Sequence, residues 1–205
     1  MKDLREKARG EEILQEQYGT RKRAQTFYAN QMLSYLNQQM IDFIKKQFMM
    51  FIATADAKGD CDSSFRAGEV GFVRVLDNKR LIYPEYRGNG VHASLGNILE
   101  NPHIGLLFID FTEHQIGLHI NGKAEVIENT DLYNLNLSIA MPEDMKEEEG
   151  DQPQRWVMIT VDEAYIHCSK HIPILRKMDK AFEWGTDDEK LKGGDFFKAK
   201  QSQKK

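Results

Sequence analysis

The residues best suited to chemistry lie in one short run, Gly88-Asn89-Gly90-Val91-His92-Ala93. It fits the G-x-G-x-x-A variant of a dinucleotide-binding fingerprint, and Asp110 follows some way downstream. The surrounding sequence argues against a dinucleotide fold. Pro84 interrupts the preceding strand, the following helix is short, and no second strand-helix-strand unit appears. What survives is local physics: a glycine loop opening a helix offers backbone N–H groups and a positive dipole end to an anion. Arg87 before the glycines, with Ser94 and Asn97 on the first turns, would add guanidinium, hydroxyl and amide donors. The run reads either as a phosphate cradle or as a capped surface loop.

His167, Cys168 and His171 invite a metal. In a strand, however, His167, Ser169 and His171 would share one face and Cys168 the other, and no acidic or thiolate partner lies close in sequence. No metal site is expected. His119 is read as a barrel-wall or cofactor-facing residue rather than a catalytic one. Met32, Met40, Met49 and Met50 read as core filler, and the acidic run 143–151 as a solvated loop or lid.

These groups must be held by a scaffold. Apolar residues recur at helical spacing over 21–47, which predicts one long or two short helices. At Phe48 the period changes to a continuous apolar run ending in an Asp-Ala-Lys-Gly turn, as a buried strand does. FVRVLD and RLIYPEY flank the turn signal Asp77-Asn78-Lys79 and predict a hairpin. A short helix is expected over 91–99, ended by Asn101-Pro102. IGLLFIDF, IGLHINGKAEVIE and WVMITVDEAYIHCS read as strands, the middle one carrying a glycine where a barrel strand bends. A further helical stretch is expected over 132–139. Strands joined mostly by hairpins, with one inserted helix, predict a closed or nearly closed antiparallel barrel.

Composition narrows the class. The 205 residues carry a net charge of −4, which argues against non-specific nucleic-acid binding. Two cysteines with no CxxC spacing point to a reducing compartment. The charged first residues and the short apolar runs point to a soluble, cytoplasmic protein with no membrane span.

The blocks FIATADAKGDCDSSFRAG, GFVRVLDNKRLIYPEYRGNG, SLGNILENPHIGLLFIDF, GLHINGKAEV and EAYIHCSKHI together resemble the pyridoxamine 5′-phosphate oxidase-like FMN-binding family, in an uncharacterised bacterial branch. The resemblance runs from about Tyr18 to about Lys177. It implies a mainly β, FMN-binding split barrel with flanking helices, working as a homodimeric oxidoreductase with one FMN per subunit at the dimer interface. The expected layout is a helical extension over 1–47, the barrel over 48–180 and a disordered tail over 181–205. It implies a flavin-phosphate site at Arg66 and Ala67 in the SFRAG block, at Tyr83 and Pro84 closing the hairpin, and at Arg87, Gly88 and Asn89. Ser94 and Asn97 are added from the helix-terminus argument. Arg74 takes the position of a basic residue facing substrate phosphate, and Lys170 is a candidate anion contact from the second subunit. Two departures weigh against true pyridoxamine 5′-phosphate oxidation. Gly117 stands near the family's flavin-facing glutamine, and the chain ends in WGTDDEKLKGG without a substrate-binding segment. The expected substrate is therefore an unidentified small molecule, with NADH or NADPH as candidate partner. The same barrel serves haem-binding and deazaflavin-dependent proteins, and a non-catalytic flavin-binding role is the other alternative.

Overall fold

The computed structural model describes residues 9–135, 153–178, 185–186, 188 and 194–202. Alternation shapes its first hairpin. In β2 (Met49–Ala55), Met50, Ile52 and Thr54 are buried while Phe51 and Ala53 are exposed, the period-two pattern of a strand with one face on a core. A turn follows, held by Asp56, whose Oδ1 accepts the N–H groups of Lys58 and Asp60. It leads into β3 (Cys61–Ala67). Antiparallel pairing sets Arg66, Ser64 and Asp62 opposite Met50, Ile52 and Thr54, so those three polar residues point to the inner face.

The predicted second hairpin forms as β4 (Arg74–Val75) and β5 (Arg80–Tyr86). The Asp77 carboxylate organises its turn, accepting the N–H groups of Lys79 and Arg80 and the Arg80 guanidinium. The chain continues through helix α4 (Ala93–Glu100), then β6 (His103–Asp110), β7 (Ile116–Ile127) and β8 (Pro153–His167). The strand order is β3-β2-β6-β7-β8-β5-β4, with β1 (Met32–Leu33) added beside β8. All pairs are antiparallel. The fold class is the expected one, mainly β with a few helices, but the sheet is not closed: no ladder joins β3 to β4. Its rolling is visible in one contact, because Arg66 of β3 meets Glu85 of β5 although β2, β6, β7 and β8 stand between them in the sheet.

The bend that lets the sheet roll is partly built into β7. Its register with β8 shifts between Asn121 and Gly122, and a Cβ at Gly122 would stand 2.1 Å from the Thr160 carbonyl oxygen. Only glycine admits so close a backbone approach. The inner face packs Met50, Ile52, Leu81, Tyr83, Leu106, Phe108, Ile120, Val157 and Ile159 into the main core. On the other face of β5 and β8, a smaller cluster joins Ile82 and Trp156 to Leu132.

Of the one long or two short helices expected over 21–47, two short ones form, with an unexpected strand between them. Helices α1 (Arg9–Gln17), α2 (Arg21–Gln31) and α3 (Gln38–Ile44) form, but Met32 and Leu33 pair with Tyr165 and Ala164. The second half of β8 has a free side, and its backbone groups take partners there. Leu36 and Ile44 are fully buried in the main core, so the core reaches back beyond the expected boundary at residue 48. The helix expected over 132–139 appears as a 3-10 helix, Asn129–Asn134. Residues 136–139, the acidic run 143–151 and most of the expected tail lie outside the described residues. Among those described, no helix is long and apolar enough to cross a membrane.

Candidate functional site

Three of the residues that meet at the seam between β3 and β5 are polar and inward-facing. Arg66 Nε donates to Glu85 Oε2 at 2.9 Å, and Arg66 Nη1 donates to Ser64 Oγ at 2.6 Å and to the Phe65 carbonyl at 3.1 Å. The Arg66 and Glu85 side chains are only 17% and 15% exposed. Tyr83 lies two residues before Glu85 on the same strand face. Its ring is completely buried, the Arg66 guanidinium interacts with its oxygen, and its O–H proton has no acceptor. One other buried side-chain polar atom among the described residues is in the same condition, Arg155 Nε. Arg155 is the direct cross-strand neighbour of Glu85; Glu128 Oε1 stands 3.8 Å from its Nε.

Burial pushes the Tyr83 hydroxyl up, the Glu85 charge adds to the rise, and Arg66 opposes it. Tyr83 is therefore neutral in physiological conditions and offers an O–H donor. A buried hydroxyl proton without an acceptor costs roughly 1–3 kcal/mol. Tyr83→Phe is accordingly expected to raise the stability of cofactor-free protein by about 1 kcal/mol, checked by urea denaturation; a loss of stability would show that the hydroxyl has a partner in solution.

The remaining expected site residues fall in several places. Pro84 is buried in β5, and Ala67 ends β3 opposite Met49. Arg87, Gly88 and Asn89 form an exposed loop leaving β5 directly after the seam. Asn89 Oδ1 accepts the Val91 N–H at 3.0 Å, and Gly90 and His92 take left-handed φ values of 81° and 55°. Ser94 and Asn97, expected as anion donors, are turned into the sheet instead. Ser94 Oγ donates to Asp62 at 2.7 Å and Asn97 Nδ2 to Thr54 Oγ1 at 3.1 Å, so these hydrogen bonds dock α4 on β2 and β3. Arg74 donates to the Gly71 carbonyl of the loop before its own strand. Lys170 is exposed in a 3-10 turn, Ser169–His171, beyond β8. Within one chain it is separated from β3 by β2, β6 and β7.

The histidines resolve differently from their sequence pattern. The last strand ends at His167, so His171 does not share a strand face with it. His167 Nδ1 instead lies 2.9 Å from His119 Nε2, and the His119 ring stacks on Tyr165 with centroids 4.8 Å apart. Burial, with the neighbouring His167 adding to it, holds His119 below the usual histidine range. The unfolded chain takes up this proton near pH 6.5, whereas the folded protein resists it to lower pH. Stability should therefore fall as the pH drops below about 6.5. Thermal unfolding followed from about pH 7.5 to 5.5 checks this; His119→Asn should flatten the dependence, and an unchanged slope would discharge His119. Asp110, the downstream acid of the glycine run, is occupied by its own turn. Burial works against its carboxylate, but hydrogen bonds from the N–H groups of Glu113, Thr112 and His114 hold it well below the usual range.

The open-seamed antiparallel sheet, with an inward arginine and a buried tyrosine hydroxyl at the seam, is a small split barrel. The chain belongs to the pyridoxamine 5′-phosphate oxidase family, whose sequence profile matches residues 36–168. A variant of HupZ from Group A Streptococcus is 23% identical, with a TM-score of 0.49 over 64% of this chain and 99% of that one. A candidate pyridoxamine 5′-phosphate oxidase from Lactobacillus delbrueckii is 20% identical, with a TM-score of 0.47 over 66% and 98%. HutZ, the haem storage protein of Vibrio cholerae, is 12% identical, with a TM-score of 0.39 over 62% and 89%. No curated protein matches the chain.

Glu85 and Arg155 were not singled out from sequence. The available signal was a charge near one end of each largely apolar run, LIYPEY and RWVMI, where a charge facing inward is unusual unless paired.

Proposed function

We propose that this chain is an FMN-dependent oxidoreductase, a cytoplasmic homodimer acting on an unidentified small molecule. The observation that carries the reading is the buried Tyr83 hydroxyl whose proton has no acceptor, beside Arg66 at the unpaired seam. An orphaned donor next to a guanidinium fits an anion that both would contact. Arg66, Tyr83 and the loop Arg87–Asn89 would hold the flavin phosphate. Bound FMN would supply the redox chemistry by hydride transfer at N5, with NADH or NADPH as candidate donor. The chain's share is to bind the phosphate, orient the ring system and exclude water. The exposed outer-face pair Phe51 and Phe65, with rings 5.6 Å apart, favours covering by a second copy.

The test is the absorbance spectrum of purified protein with mass spectrometry of the released cofactor. One FMN per subunit is expected, and light scattering of the same sample should give a dimer. A haem or deazaflavin chromophore, or colourless protein that leaves FMN fluorescence unquenched on titration, would overturn the reading.

A further inference from the structure

Two buried side-chain donors without an acceptor among the described residues, Tyr83 O–H and Arg155 Nε–H, flank a single carboxylate. Tyr83 precedes Glu85 by two residues on the same strand face, and Arg155 is its direct partner across the β5–β8 ladder. Opposed residues on one sheet face have Cβ atoms roughly 5 Å apart, within easy reach of a glutamate turning about its own side-chain bonds. Glu85 instead reaches across the seam to Arg66, leaving both orphans as they are. Unsatisfied buried donors are rare, and two beside one acceptor point to a second arrangement in which both are used.

Resting on the FMN reading above, we propose that Glu85 occupies Arg66 in the cofactor-free protein and passes to Arg155 when the flavin phosphate arrives, and that this exchange sets the preference for phosphorylated over unphosphorylated flavin. In the first state Arg66 is neutralised by Glu85, while Tyr83 O–H and Arg155 Nε–H lack acceptors. In the second, the phosphate takes Arg66 and Tyr83, and the Glu85 carboxylate accepts from Arg155 Nε. The surrounding charges are consistent with this. Ser64 holds the Arg66 guanidinium from β3 in either state, and Glu128 stands too far from Arg155 Nε, at 3.8 Å, for a hydrogen bond. Phosphate binding therefore competes with an internal carboxylate. A ligand without the phosphate meets no such competition.

Titrations of FMN and of riboflavin, read by flavin fluorescence quenching, test this on Glu85→Gln, which keeps the side-chain volume and removes the charge. Glu85→Gln is expected to bind FMN about tenfold more tightly than the parent and riboflavin equally well. FMN affinity that is unchanged or weaker, or a gain shared by riboflavin, overturns the proposal. Should Glu85→Gln bind neither flavin for want of folding, Glu85→Ser must give the same selective gain. Arg155→Gln should weaken FMN binding in the parent and leave it unchanged in the Glu85→Gln background, a coupling that a merely structural arginine would not show. Equal effects in both backgrounds overturn the transfer to Arg155. A parent that binds neither flavin removes the FMN reading itself, an outcome distinct from a parent that binds FMN with Glu85→Gln unaltered.

Discussion

Arg66→Ala is expected to weaken FMN binding by roughly tenfold to a few hundredfold. Each hydrogen bond to a charged group contributes on the order of 1.5–3 kcal/mol, and a guanidinium can present two in parallel to a phosphate. Glu85 should hold the loss toward the lower end, because in the parent the phosphate must first displace its carboxylate, only 15% exposed, from the guanidinium. Lysine at this position restores a point charge without the planar fork, so Arg66→Lys should recover only part of the affinity. Riboflavin serves as control, because its binding should be nearly indifferent to the change. Parent-like FMN affinity in Arg66→Ala, or equal loss for both flavins, would remove Arg66 as phosphate ligand.

The second large effect concerns stability. Gly122→Ala places a methyl group 2.1 Å from the Thr160 carbonyl oxygen and 3.3 Å from Ile159 Cγ2. The nearest atom is backbone in the central β7–β8 ladder, so relief requires the strands to part. A destabilisation of about 3 kcal/mol is expected, or a melting temperature lower by about 6–12 °C. Gly96→Ala is the matched comparison. It lies within α4, and its Cβ would meet nothing within 4 Å, so the usual gain of alanine over glycine in a helix, about 0.5–1 kcal/mol, should appear. Differential scanning calorimetry of the two variants decides the matter; if Gly122→Ala melts with the parent, the bulge is not constrained as described.

Much of this architecture was legible in the sequence because it is local. Asp77-Asn78-Lys79 announces its hairpin, since the turn is made by Asp77 bonding residues two and three ahead. The alternation of β2 gives its buried face directly. Arg66 and Tyr83 could be named from the blocks that resemble a known family, and the fold places them at one seam. Other features depend on contacts distant in sequence. Nothing near Met32 signals that β8 has an open side to pair with, and the helical period runs through it. Ser94 and Asn97 sit where helix physics puts anion donors, yet Asp62 and Thr54, more than thirty residues earlier, claim them. Glu85 and Arg155 acquire meaning only when the sheet rolls far enough to bring β3 against β5.

That rolling leaves a hoop fastened by a clasp. Elsewhere around its circumference each strand is stitched to the next by backbone hydrogen bonds, which give way only by unzipping. Across the seam Arg66 and Glu85 form a charge pair, which can be undone and remade in one place by turning side chains. Opening that clasp would therefore loosen the seam without disturbing the register of any ladder.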